Sequence, residues 1–317
     1  MKLKAMAVPA VLTTLVMAAG ATALAIPSKP GSGGSSAAAM YTDEIDDYGV
    51  CRGVDPSCYN DWGAGWEEGE DKRILIWSRT AGPRHAHLGS PLGPGLNPPL
   101  SANNVAQANL KAWAEEQGVT VDYTEDLASF RPNNYHAVVF LSSNRDTLDD
   151  AAQTALMQYV RRGGGFVGIH NAFGAEYHWK YYEGLLGGAN FYDHGPNREG
   201  TVETIDRDDV STSGLPRTWG FTDEWYNLVP YPSFVNVLAE VDPVTSIRPE
   251  GTNGHPGHGK HHPVSWCHYY DGGRAWLTTL GHDVKAWTAE PLEGDAEFKE
   301  HVVNGILSAM GVEEFCQ

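Results

Sequence analysis

The chain has 317 residues and a formal net charge of −18, a balance that opposes binding to nucleic acid or to an anionic membrane. The length suffices for one α/β domain with a large core. Thirteen His and ten Trp are the telling excess: both often meet sugars, although Trp is equally a core residue.

Residues 1–25 read as a secretory signal peptide. Lys2 and Lys4 form a basic start, Val8 opens an apolar run, and Ala23-Leu24-Ala25 fits an A-x-A cleavage site. Pro9, Thr13 and Thr14 interrupt that run, so no permanent membrane anchor is expected and the protein reads as secreted (extracellular). Residues 26–71 form an acidic Gly/Ser-rich arm: SKPGSGGSSAAAM is a flexible linker, and DEIDD and WEEGED are too poor in apolar residues to fold alone. In an oxidising compartment Cys51 is expected to pair with Cys58, and a Cys267–Cys316 pair would tie the C-terminal tail to a strand. A zinc–thiolate site is the alternative for four cysteines, but the sequence contains no C-x-x-C.

Residues 72–317 carry the folded domain. Residues 74–78 (ILIWS) suit a buried first strand, which opens into TAGPRHAHLGSPLGPGLNPPL. A loop this long is usually functional, and it carries Arg84, His85 and His87; a solvated loop with incidental histidines is the plainer reading. A helix is predicted over 101–118 with Ser101 as its cap, a strand over 119–124, a buried strand over 135–141 and a second helix over 148–162. Gly163, Gly164 and Gly165 stop that helix, and they lie before a strand, where no phosphate loop would lie. The strand 166–169 follows and ends at His170. Alternation of buried strands with helices predicts a parallel sheet, and ligands of such sheets sit just outside the carboxyl ends of the strands. Further on, the pattern predicts a short helix over 177–186, a strand over 201–208, a loop over 214–228 and a strand over 236–242. A β-hairpin joins VSWCHYY to RAWLTTLGH across DGG, and a last helix covers 298–310.

Seven motifs stand in order over residues 73–310: ILIWSRTAGPRH, YHAVVFLSS, GGGFVGIHNA, YYEGLLGG, TDEWYNL, HPVSWCH and GGRAWLTTLGH. Together they resemble the trehalose-utilisation (ThuA-like) domain family. The resemblance implies a class I glutamine-amidotransferase-like fold, a flavodoxin-type, mostly parallel sheet with helices on both faces, plus a C-terminal β-hairpin and helix. Amidotransferases present a nucleophilic Cys at a strand-to-helix elbow. Here His170 occupies that position, followed by Asn171 and Ala172, so glutamine amidotransferase chemistry is not expected. The resemblance links the chain to sugar, including keto-disaccharide, metabolism.

Carried over motif by motif, the catalytic candidates are His170, His85, Asp223 and Glu224, an imidazole base with a carboxylate to orient it or share its work. Candidates for holding substrate are Arg84, Glu176, His194, Trp225, His262, Trp266 and His282. One carboxylate of DEWY also suits a plain ion pair with Arg84. No G-x-S-x-G elbow occurs, which disfavours a serine hydrolase. His255, His258, His261 and His262 invite a metal, but only His262 belongs to a motif, so no metal or other cofactor is expected. The expected partner is a small molecule or oligosaccharide, and no motif bears on oligomeric state. The leading expectation is a hydrolase, isomerase or lyase acting on a carbohydrate. A non-catalytic sugar-binding module is the alternative, and a metal-assisted hydrolase a weaker one.

Overall fold

The computed structural model describes residues 49–246, 253–288 and 293–317; the expected signal peptide and the whole SKPGSGGSSAAAM linker lie outside the described residues. Among the described residues no helix is long and apolar enough to cross a membrane. The first half of the chain forms β1 (Arg52–Gly53), β2 (Arg73–Trp77), α1 (Val105–Glu115), β3 (Thr120–Thr124), β4 (Ala137–Leu141), β5 (Asn144–Arg145), α2 (Asp150–Arg161), β6 (Gly165–Ile169) and β7 (Gly174–Ala175). There follow α3 (Lys180–Leu185), β8 (Phe191–His194), β9 (Arg198–Thr204), β10 (Thr218–Asp223), β11 (Tyr226–Leu228) and β12 (Asn236–Val241). The chain ends with α4 (Pro243–Ser246), β13 (His262–Tyr270), β14 (Gly273–Thr278) and α5 (Asp295–Met310).

One large mixed sheet results. Strands β3, β2, β4, β6 and β14 lie side by side in that order and run parallel. Beyond β14 the sheet continues antiparallel through β13, β12, β9 and β10. The parallel strands are apolar along their length because both faces are covered. In β2, Ile74 and Ile76 pack beneath Leu110 and Trp113 of α1 and Phe298, Val302 and Ile306 of α5. The alternate residues Leu75 and Trp77 pack on the other face with Leu156 and Tyr159 of α2 and Tyr182 of α3. Each such buried aliphatic side chain contributes about 1.5–3 kcal/mol.

The helix stop reads as the sequence suggested: Gly163 takes φ 98° and its amide donates to the Val160 carbonyl at 2.9 Å. Cys51 is bonded to Cys58, and Cys267 to Cys316. Two local expectations change. Helix α1 starts at Val105 because Ser101 spends its amide and hydroxyl on the Asn104 carboxamide, at 2.9 and 2.7 Å, in a separate turn. Residues 214–228, expected as a loop, contain β10 and β11. Trp219, Phe221 and Asp223 are buried at every second position, a strand periodicity that Pro216 and Gly220 obscure.

Candidate functional site

The carboxyl ends of the parallel strands carry the histidines. His85 and His87 follow β2, His170 follows β6, and His282 follows β14. Their rings touch: His85 lies 4.7 Å from His170 and 5.3 Å from both His87 and His282, between ring centres. Glu224 comes from the turn between β10 and β11, at the far side of the sheet. His85, His170, Glu224 and His282 each offer one donor atom, all within 4.8 Å of one another.

The loop after β2 holds its histidines because it is tied down. The Arg84 guanidinium donates to the carbonyls of Gly89 at 2.6 Å and of Leu88 and Ser90 at 3.1 Å, and it pairs with Glu125 at 2.7 Å. Asn104, at the start of α1, donates to the Leu88 and Ser90 carbonyls at 2.7 Å. Arg84 is thus a staple of the loop rather than a group offered to substrate.

His170 opens a short turn at φ 51°, a left-handed conformation that few non-glycine residues adopt. Its Nδ1 lies 2.8 Å from the Thr279 carbonyl and its Nε2 2.9 Å from the Tyr226 hydroxyl. A carbonyl only accepts, so Nδ1 carries the proton and Nε2 presents its lone pair. The same logic fixes His87: Nδ1–H donates to the His282 carbonyl at 2.9 Å, and Nε2 accepts from the Ser142 hydroxyl at 2.8 Å.

Burial sets the protonation states. Removal from water, reinforced by neighbouring imidazoles, holds His170 well below its ordinary value, His85 down at about 4 and His87 at about 3. His282 moves the other way. Burial opposes its charge, but the Glu224 carboxylate 3.0 Å from its Nδ1 more than offsets this, and its value rises. Neutral imidazoles beside an imidazole–carboxylate pair are what separates acid from base roles in one small volume.

Asp223 does not join the cluster. It is buried, and its carboxylate accepts from the amides of Gly281 at 2.7 Å, Glu224 at 2.8 Å and His282 at 3.2 Å. Burial pushes it up to about 7 against the pull of those amides. Its work is to fix the backbone that carries Glu224 and His282. His194 flanks the cluster, with Nε2 3.5 Å from Glu224.

The other expected substrate contacts have structural employment. Glu176 accepts from the amides of Thr147 at 2.6 Å and Leu148 at 2.9 Å, and from the Gln153 side chain, so it fastens the entry to α2. Trp225 is buried against Gly200, and Trp266 is a core residue whose indole donates to the Leu186 carbonyl at 3.0 Å. His262 lies beneath the site, with Nε2 2.8 Å from the Tyr226 carbonyl. The buried His255 and His258 rings each accept a backbone amide, from Gly257 at 3.0 Å and Leu228 at 2.9 Å. His87 and Tyr226 are not among the catalytic candidates of the sequence, yet both stand against the cluster. The R-H-A-H spacing was the available signal for the first; nothing short of the fold brings Tyr226 onto His170.

A family model described as trehalose utilisation matches residues 73–309. Among solved structures, a ThuA-like protein from Bacteroides uniformis is similar at 22% identity and a TM-score of 0.57, over 80% of this chain and 96% of that one. A ThuA-like protein from Parabacteroides merdae is similar at 18% identity and a TM-score of 0.55, over 78% of this chain and 91% of that one. No curated protein matches the chain.

Proposed function

The chain belongs to the ThuA, trehalose-utilisation family, and from that premise we propose that it acts on a carbohydrate, an oligosaccharide or keto-sugar, at the centre formed by His85, His170, Glu224 and His282. One observation carries the reading: four side chains from four separate segments converge within 4.8 Å at the carboxyl ends of a sheet. Their protonation states are driven apart by burial and by the Glu224–His282 pair, as acid–base chemistry on a sugar hydroxyl or on a carbon beside a ketone requires. The order β3-β2-β4-β6-β14 supports reading the parallel half as flavodoxin-type and class I glutamine-amidotransferase-like. His170 then takes the place of the amidotransferase nucleophile, with chemistry of another kind. The two disulfides support a secreted protein.

A module that only binds sugar is the less favoured reading. It relied on aromatic side chains for grip, and Trp225 and Trp266 are both buried. The test is a screen of oligosaccharides and their keto forms against wild-type protein and His170→Asn, with product analysis. Asn tolerates the left-handed backbone, so the variant removes the imidazole and little else. Turnover is expected to fall by about 10²–10⁴-fold. Undiminished turnover in the variant would sink the reading.

A further inference from the structure

We propose that His85, His170, Glu224 and His282 bind one divalent transition-metal ion of the zinc class. The inference rests on the reading that these four form the functional centre, and it names what that centre holds.

Three nitrogens and one carboxylate oxygen are a donor set suited to zinc, cobalt or nickel rather than to calcium or magnesium, which prefer oxygen. The spacing fits as well as the chemistry. Donors about 2.0–2.1 Å from a tetrahedral zinc stand about 3.3 Å apart. The His282 Nδ1 and Glu224 Oε2 atoms are already 3.0 Å apart, and no pair among the four donors exceeds 4.8 Å. The remaining rings have to draw in by roughly an ångström.

The surroundings point the same way. His85 Nδ1 is buried and has no hydrogen-bond partner among the described residues, a costly condition that a cation would relieve. The other nitrogen of His170 donates to a backbone carbonyl, the arrangement by which proteins hold a metal-binding imidazole in one tautomer and orientation. The Tyr226 hydroxyl that now meets His170 Nε2 would turn to a water or substrate oxygen on the ion. Asp223 locks the backbone of two ligands, Glu224 and His282, in place. One carboxylate against a dication leaves the centre with net positive charge. That suits it to draw electrons from a sugar carbonyl oxygen and to stabilise the negative charge left when a neighbouring C–H loses its proton.

The histidines at 255, 258 and 262 are the natural rival, being more crowded in sequence. There His255 and His258 each spend the ring lone pair on a backbone amide, at 3.0 and 2.9 Å, which leaves the proton on the other nitrogen, and His262 Nε2 meets the Tyr226 carbonyl at 2.8 Å. Among the described residues the four-residue centre alone brings three or more such donor side chains within reach of one ion.

The test uses full-length protein stripped with chelator and titrated with Zn²⁺ by calorimetry and with Co²⁺ by visible absorption. One equivalent of each ion is expected, with ligand-field bands for Co²⁺. Glu224→Gln and His85→Ala should each weaken binding by about tenfold or more with the circular-dichroism spectrum unchanged, while His255→Ala should bind as wild type. Absence of stoichiometric binding overturns the proposal, as does binding that survives both substitutions in the centre. Sugar turnover is measured on the same stripped and reloaded samples. Stoichiometric metal without turnover keeps the ion and removes the carbohydrate reading. Full turnover in stripped protein that takes up no stoichiometric metal keeps the carbohydrate reading and overturns the ion.

Discussion

His170 bears the cost of its position in its backbone. At φ 51° a side chain with a Cβ crowds the following carbonyl, at about 1–2 kcal/mol for most residues and less for Asn. Ser142, which follows β4 and bonds His87, sits at φ 48°, so the strain recurs around the centre. His170→Ala is therefore expected to unfold about 1 kcal/mol more easily than His170→Asn, although both lose the imidazole. Urea midpoints at equal slope measure the difference, and identical midpoints would remove strain from the account. At this scale the sequence was ambiguous where chemistry was symmetrical. Asp223 and Glu224 are adjacent carboxylates, and only the strand that ends at Asp223 decides which turns inward to backbone amides and which reaches the imidazoles.

Elements whose both faces are covered were legible, because a run such as ILIWS has no other stable use. Strands β2, β3, β4 and β6 fall within one or two residues of their predicted bounds. Strands β10 and β11 were not legible, since their pairing depends on β9, which is polar, and on β8, which is short. Glu176 was misread for a related reason: a carboxylate six residues after His170 looks like a site residue until its partners are known. It holds two amides and the Gln153 side chain at the entry to α2. Glu176→Ala strands those groups, so a loss of about 3 kcal/mol in unfolding free energy is expected. A loss below about 1 kcal/mol in chemical denaturation would show the contact to be incidental.

Seven of the thirteen histidines are buried. His268 and His301 lie far from solvent in the core, and burial lowers each from an ordinary 6.5 to about 4. The folded state favours their neutral form, so between these values the unfolded chain binds more protons. Their contribution is complete above pH 6.5 and is lost as pH falls towards 4, at about 1.4 kcal/mol per pH unit for each group. Thermal midpoints are expected to be flat above neutrality and to drop steadily below pH 6.5; His301→Gln should soften that slope. An unchanged slope in the variant would show that other groups govern acid unfolding.

The sheet also divides the centre by chemical element. All three nitrogen donors hang from the parallel strands, while the one oxygen donor, Glu224, is delivered by the antiparallel extension. The charge of the centre is thus adjustable from outside the scaffold that shapes it. A change confined to the β10–β11 turn can remove the one carboxylate, and with it one unit of negative charge, while the imidazoles keep their places at the ends of the parallel strands.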